Sequence, residues 1–117
     1  MTQWLALALS LAIEVPAAVA GVLLLRWLPA PAAGRLAVVA AAATLITHPL
    51  AWNANIYLRH ALPFVWRGLL IESAVVLVEG VLYARLARLG WRRGAAVSLG
   101  ANGLSFGLGL LILRWMR

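Results

Sequence analysis

Residues 4–25 read WLALALSLAIEVPAAVAGVLLL, an unbroken apolar run with one charged side chain, Glu14, near its middle. A helix needs about 20 apolar residues to cross the hydrocarbon core of a bilayer, and this run supplies them. A secretory signal is also apolar, and Ala18-Val19-Ala20 has the small residues of a cleavage site. Against that reading, Met1-Thr2-Gln3 brings no basic side chain, Glu14 interrupts the stretch, and the run continues to Leu25. The run is therefore expected to be a retained transmembrane helix.

Three further runs follow. Leu36–Leu58 is closed by Arg59-His60 and Pro63; Phe64 to about Ala84 carries Arg67, Glu72 and Glu79; Ala95–Leu113 is opened by Arg92-Arg93-Gly94. With helices at about 4–25, 36–58, 64–84 and 95–113, short connections make neighbours antiparallel. The expected fold is an all-α integral membrane protein: one transmembrane domain over residues 1–117, a four-transmembrane-helix antiparallel bundle with both termini on the same side.

Composition agrees. Of 117 residues 65% are hydrophobic and 11% charged, against about 25% charged in soluble domains. A water-soluble globule this short could not hide so much apolar material. A disordered tail is excluded by the same numbers, and a disulfide scaffold by the absence of cysteine. Five tryptophans, Trp4, Trp27, Trp66, Trp91 and Trp115, stand at run ends as an aromatic belt requires; Trp52 alone lies inside a run. The net charge of +7 comes from arginines at the ends of apolar runs rather than along one face. That pattern fits anchoring beside anionic headgroups and gives no nucleic-acid surface. Arg26, Arg35, Arg85, Arg88, Arg92 and Arg93 fall at one end, and Arg59, Arg67, Arg114 and Arg117 at the other. Six against four favours both termini outside the cytoplasm, and so even a split leaves insertion in both orientations open. A prokaryotic inner membrane is the expected location, with the bilayer as the first partner.

The informative residues are the polar ones inside the runs. Helical periodicity aligns Ser10 and Glu14 in the first run, and Thr44, Thr47, His48 and Asn55 in the second. It aligns Glu72, Glu79 and Tyr83 in the third, and Ser98, Asn102 and Ser105 in the fourth. Asn53 lies off its helix's stripe. Glu14, His48, the Glu72/Glu79 pair and Asn102 all fall near mid-run, hence at one depth. An ionised carboxylate at the bilayer centre costs about 3 kcal/mol on insertion scales. These groups are expected to face inward, to find partners, or to hold protons. Glu14, His48, Glu72 and Glu79 are the candidate proton- or cation-handling residues, with Thr47, Asn55, Tyr83, Ser98, Asn102 and Ser105 in support. Asn, Ser and Thr alone would be ordinary interhelical glue; three central glutamates and a histidine exceed what glue requires.

Pro16 and Pro49 each remove a helical hydrogen bond beside the polar centre, a change that transmembrane helices tolerate. Gly100, Gly103 and Gly107 form a small face on the fourth helix, suited to close packing within the bundle or against another subunit. Metal binding has little support, with no cysteine and no HExxH. No cofactor is implied.

The leading expectation is a small membrane protein that transports or relays protons or a cationic solute, as a homo-oligomer or within a complex. The second is a non-catalytic subunit or assembly factor of a larger membrane complex. The third is an intramembrane enzyme using the Glu/His cluster.

Overall fold

The computed structural model describes residues 1–117. It is all-helical: α1 (Gln3–Leu24), α2 (Ala33–Leu58), α3 (Phe64–Leu86) and α4 (Trp91–Trp115). Three of the four helices, with α2 counted from the short 3-10 turn that precedes it, are long and apolar enough to cross a membrane: Gln3–Leu24, Ala30–Leu58 and Trp91–Trp115. α3 is set apart by four charged side chains, Arg67, Glu72, Glu79 and Arg85.

Two boundaries differ from the sequence reading. α2 starts at Ala33 rather than Leu36, because Ala30–Ala32 form a 3-10 turn that feeds directly into it. Proline is tolerated in a first helical turn, where its missing N–H has no partner to lose. α4 starts at Trp91 rather than Ala95, so Arg92, Arg93 and Gly94 are helical. Gly90, with φ of 80°, takes the sharp turn instead. Charged residues end an apolar run without ending the helix. Pro16 and Pro49 both lie within continuous helices.

The helices form a ring in which α1 touches α2 and α4, and α3 touches α2 and α4. Successive helices are antiparallel. Glu14 of α1 meets Thr44 of α2, and Val22 clusters with Leu36 and Val39. Thr47 of α2 meets Glu79 of α3, and Asn55 meets Arg67. Ser98 of α4 meets Val76 of α3, while Arg93 reaches Trp27 at the end of α1.

Burial is inverted relative to a protein folded in water. Only 21 of 117 residues are buried, and these include Glu14, Thr44, Thr47, Glu79, Ser98 and Asn102. The outer surface carries leucine, valine and tryptophan, among them Leu45, Leu77, Leu99 and Trp115. Polar side chains are gathered inside beside an apolar cluster, and the outer surface is apolar, a distribution that suits a hydrocarbon solvent.

The apolar core fills only the end of the bundle that holds the α1–α2 and α3–α4 connections. Ala18, Val22, Leu36, Val39, Ala40, Tyr83, Ala87, Leu89 and Val97 pack there into one cluster. Among the glycines, Gly94 of α4 makes the tightest approach to a neighbouring helix. A Cβ added at Gly94 would lie 2.7 Å from the Ala84 nitrogen and 2.9 Å from the Gly80 carbonyl oxygen. Gly100, Gly103 and Gly107 have nothing within 4 Å of such an atom. The small-residue contact inside the chain is thus Gly80/Gly94, not the face expected from Gly100, Gly103 and Gly107, which this chain leaves uncovered.

These contacts set a test. Gly94→Ala forces two backbones apart and is expected to destabilise by about 1–3 kcal/mol. Gly103→Ala meets open space and gains helix propensity of up to about 1 kcal/mol. Thermal unfolding in detergent checks the contrast, and equal midpoints for the two variants would contradict the close contact.

Candidate functional site

Above the apolar plug, the four polar stripes meet. Glu79, 1% exposed, is held from two sides. Thr47 Oγ1 lies 2.6 Å from its Oε1, and Asn102 Nδ2 donates to its Oε2 at 2.6 Å. One glutamate thereby joins α2, α3 and α4. Asn102 also donates to the Ser98 carbonyl oxygen at 2.9 Å, which commits its amide and fixes its orientation. Ser98 Oγ donates to the Val76 carbonyl oxygen at 2.8 Å, tying α4 to α3 one turn away. Glu14 closes the ring on the other side, accepting from Thr44 Oγ1 at 2.6 Å.

Thr47 has one hydroxyl proton and two acceptors, Glu79 Oε1 and its own helix's Ala43 carbonyl oxygen at 2.9 Å. With Glu79 ionised, Thr47 donates to the carboxylate. With Glu79 protonated, the carboxyl donates to Thr47, and Thr47 turns its proton to Ala43. Every hydrogen bond is satisfied in both states without heavy-atom movement. The seat of Glu79 accepts either protonation state.

From this floor a cavity of about 400 Å³ opens toward the end of the bundle that holds both chain termini. Glu14, His48, Glu72 and Glu79 all line it, as do Thr47, Asn55, Asn102 and Ser105. Of the remaining sequence candidates, Ser98 and Tyr83 are buried beneath it and do not face it. Glu72 sits on the wall near Glu14 and Glu79 and has no hydrogen-bonding side chain beside it. His48 Nε2 is buried without a partner, and its ring lies 6.1 Å from that of Trp52, one turn along α2. No three of the His and Glu side chains approach closely enough to ligate one metal ion.

The rim is marked by Arg67, whose Nε donates to Asn55 Oδ1 at 2.6 Å. Its guanidinium also donates to the Leu62 carbonyl oxygen at 3.3 Å and lies over the Phe64 ring at 5.7 Å. Its donors are thus turned to the α2–α3 connection; Glu14 and Glu79 accept only from neutral groups, and no basic side chain bonds Glu72. Asn53 is exposed and donates to the Pro49 carbonyl oxygen at 2.9 Å, so its amide is satisfied within its own helix.

Sequence reasoning missed the aromatic walls, Trp52, Phe64 and Phe106. Trp52 did carry a signal, as the one tryptophan away from a run end. Phe106 depends on Gly68, where a Cβ would stand 3.3 Å from its ring, a pairing across helices that spacing along one helix does not reveal. Thr44 lay on the expected stripe, but nothing along α2 marks it as the partner of Glu14.

No family model, curated protein or solved structure matches this chain. The site therefore has to be read from its own chemistry.

Two expectations follow from the bonding. Thr47→Val and Asn102→Leu each remove one support of Glu79 and should cost about 1–3 kcal/mol. Because they share a partner, the double variant should lose less than the sum; strict additivity in thermal or denaturant unfolding would show that they act separately. The Tyr83 hydroxyl, buried with no partner, gives the opposite sign. Tyr83→Phe is expected to raise stability by about 1 kcal/mol, and a loss of that size would mean that the hydroxyl is bonded.

Proposed function

We propose that this chain is a four-span integral membrane protein that binds a small organic cation in the carboxylate cavity and exchanges it for protons. The observation carrying the reading is the convergence of Glu14, Glu72 and Glu79 on one open cavity, with no basic side chain bonded to any of them.

The fourth span is α3. Its 23 residues rise about 34 Å, beyond the roughly 30 Å of hydrocarbon. Glu72 and Glu79 turn into the cavity, and Arg67 is bonded at the rim. Its outer face is apolar, with Trp66, Leu69, Leu70, Leu77 and Val81 exposed. The charges that lower its average hydropathy are thus kept from lipid. Six arginines at the plugged end against four at the open end support a plug toward the cytoplasm and a cavity mouth outside.

Size favours a solute over the proton alone. A proton relay needs only a file of hydrogen-bonding groups, whereas about 400 Å³ lies within the usual range of small-molecule sites. Aromatic faces at Trp52, Phe64 and Phe106 suit a weakly hydrated organic cation. The same carboxylate oxygens take either protons or the cation, which couples the two. The plug closes the cytoplasmic side in this conformation, so turnover requires that end to open.

Flux of small organic cations into proteoliposomes, with and without a pH gradient, tests the proposal. Glutamine keeps the shape of glutamate but cannot exchange a proton here. Glu14→Gln or Glu72→Gln is expected to abolish gradient-driven flux in a protein that still inserts and folds. Full activity of Glu14→Gln, Glu72→Gln and Glu79→Gln at equal expression would move the assignment to a subunit or assembly factor. The uncovered face at Gly100, Gly103 and Gly107 favours that second reading.

A further inference from the structure

Two turns close the plugged end of the bundle, residues 25–32 between α1 and α2 and residues 87–90 between α3 and α4. Both begin in the same way. Arg26 follows α1 with φ of 57°, and Arg88 follows α3 with φ of 59°; no other residue except Gly90 has positive φ. The reversal serves the core. The Trp27 amide donates back to the Val22 carbonyl oxygen at 3.0 Å, and the Leu89 amide to that of Tyr83 at 3.4 Å. Leu89 thereby joins the apolar cluster, and Trp27 packs against it. Glycine takes this conformation freely and is the common residue at such helix ends, whereas a Cβ is disfavoured there. The chain has ten glycines, yet both positions hold arginine. For the fold alone, glycine would serve better.

The two side chains are exposed. Of the ten arginines, Arg59, Arg67 and Arg93 donate hydrogen bonds; Arg26 and Arg88 make none. Arg35, Arg85, Arg92 and Arg93 share their end of the bundle. No acidic side chain balances these six, because the chain has no aspartate and its three glutamates line the cavity beyond the plug. The turns also lie together: Arg93 Nη1 donates to the Trp27 carbonyl oxygen at 3.5 Å, which brings the start of α4 beside Arg26. The Arg85 and Arg93 guanidiniums lie over the Trp91 and Trp27 rings, at 5.3 and 5.6 Å from their centroids. Tryptophans at helix ends sit at headgroup level.

We propose that the two turns form a binding surface for the phosphate groups of anionic phospholipid, with Arg26 and Arg88 as its principal contacts. The surface is separate from the carboxylate cavity and independent of the cation reading. A guanidinium presents paired donors that match phosphate oxygens. Ordinary anchoring needs positive charge anywhere in these connections; it does not need it at the two positions whose backbone favours glycine. A cation is also favourable beside a helix C-terminus. Here, however, the carbonyl oxygens of Val22, Leu23, Tyr83 and Ala84 already accept from backbone amides of the turns.

The test titrates the full chain, in zwitterionic micelles, with dioleoylphosphatidylglycerol, dioleoylphosphatidylcholine or inorganic phosphate. Native mass spectrometry reads bound lipid, and thermal denaturation reads the lipid-free unfolding midpoint. The expected result is a preference for phosphatidylglycerol, reduced about fivefold by Arg26→Gly or Arg88→Gly and about twenty-five-fold by both. The midpoint of the glycine variants should stay level or rise, so that binding is lost without loss of fold. Arg26→Gln combined with Arg88→Gln keeps the side-chain stems, removes the charges, and should lose the preference to the same degree. Arg117→Gly takes one charge from the opposite end and should retain it. An equal loss in Arg117→Gly shows attraction by net charge alone and overturns the proposal, as does an unchanged preference in either double variant. A lower midpoint in both glycine variants, with the preference intact in the glutamine pair, assigns the arginines to the helix ends and overturns it. Inorganic phosphate that displaces phosphatidylglycerol at equal concentration overturns the lipid assignment.

Discussion

A carboxylate buried inside a helix bundle must find hydrogen bonds within the protein, and the seat of Glu79 meets that requirement. Its two oxygens draw Thr47 from α2 and Asn102 from α4 to a point on α3. Glu14 adds α1 through Thr44. Between helices surrounded by lipid there is little hydrophobic driving force, because lipid tails are as apolar as leucine side chains. Polar bonds and close packing must set the register. Here both occur at adjacent levels: the Glu79 seat, and just beyond it the Gly80–Gly94 approach, where a single methyl group would collide with backbone.

Those two levels divide the bundle into unequal halves. On the plug side the helices touch through alanine and glycine, and the core is continuous from Ala18 to Val97. On the other side they diverge around the cavity, and the link between α2 and α3 there is Arg67 with Asn55. Glycine at 94 and buried alanines at 40, 84 and 87 lie in the sealed half, and Phe64, Phe106 and Trp52 line the open one. The distribution of small and large residues along each helix therefore decides which end is sealed. The partnerless Tyr83 hydroxyl lies within the sealed half. A buried unsatisfied hydroxyl is tolerated at a cost, and this one lies between the carboxylate floor and the plugged end.

The fold was legible from the first run outward because it follows from length and solvent: four apolar runs, short connections, and no lipid-facing place for a carboxylate. Helix type and order agree closely with the structure. The boundaries at Ala33 and Trp91 differ because hydropathy ends where charge begins, whereas the backbone hydrogen-bond ladder continues through Arg35, Arg92 and Arg93. The site was legible to the extent that helical periodicity reports faces: Glu14, Thr47, His48, Glu72 and Asn102 could be aligned along their own helices. What periodicity lacks is the rotation of one helix against the next. Ser98 and Tyr83 share stripes with cavity residues yet lie beneath the floor. The glycines of α4 show the same limit, since spacing marks Gly100, Gly103 and Gly107 as readily as Gly94, and the distance to a neighbouring backbone separates them.

The three glutamates do not stand in equivalent surroundings, and this bears on which of them exchanges charge. Glu79 has two neutral donors and a threonine whose proton can swing to Ala43, so it is satisfied whether ionised or not. Glu14 accepts from Thr44 at close range, with Ser105 as a second, weaker hydroxyl neighbour. Glu72 has none and faces the open volume. A cation entering the cavity therefore improves the surroundings of Glu72 most and those of Glu79 least. Any proton displaced from a carboxylate by the cation is linked to it reciprocally, since a ligand that lowers proton affinity has its own affinity lowered by protons to the same degree. Under the cation-exchange proposal, Glu79 would be chiefly the fixed corner of the bundle, Glu72 the exchanging group, and Glu14 the intermediate one. A single cavity thus combines a structural carboxylate with a labile one, separated by the number of donors that the neighbouring helices present.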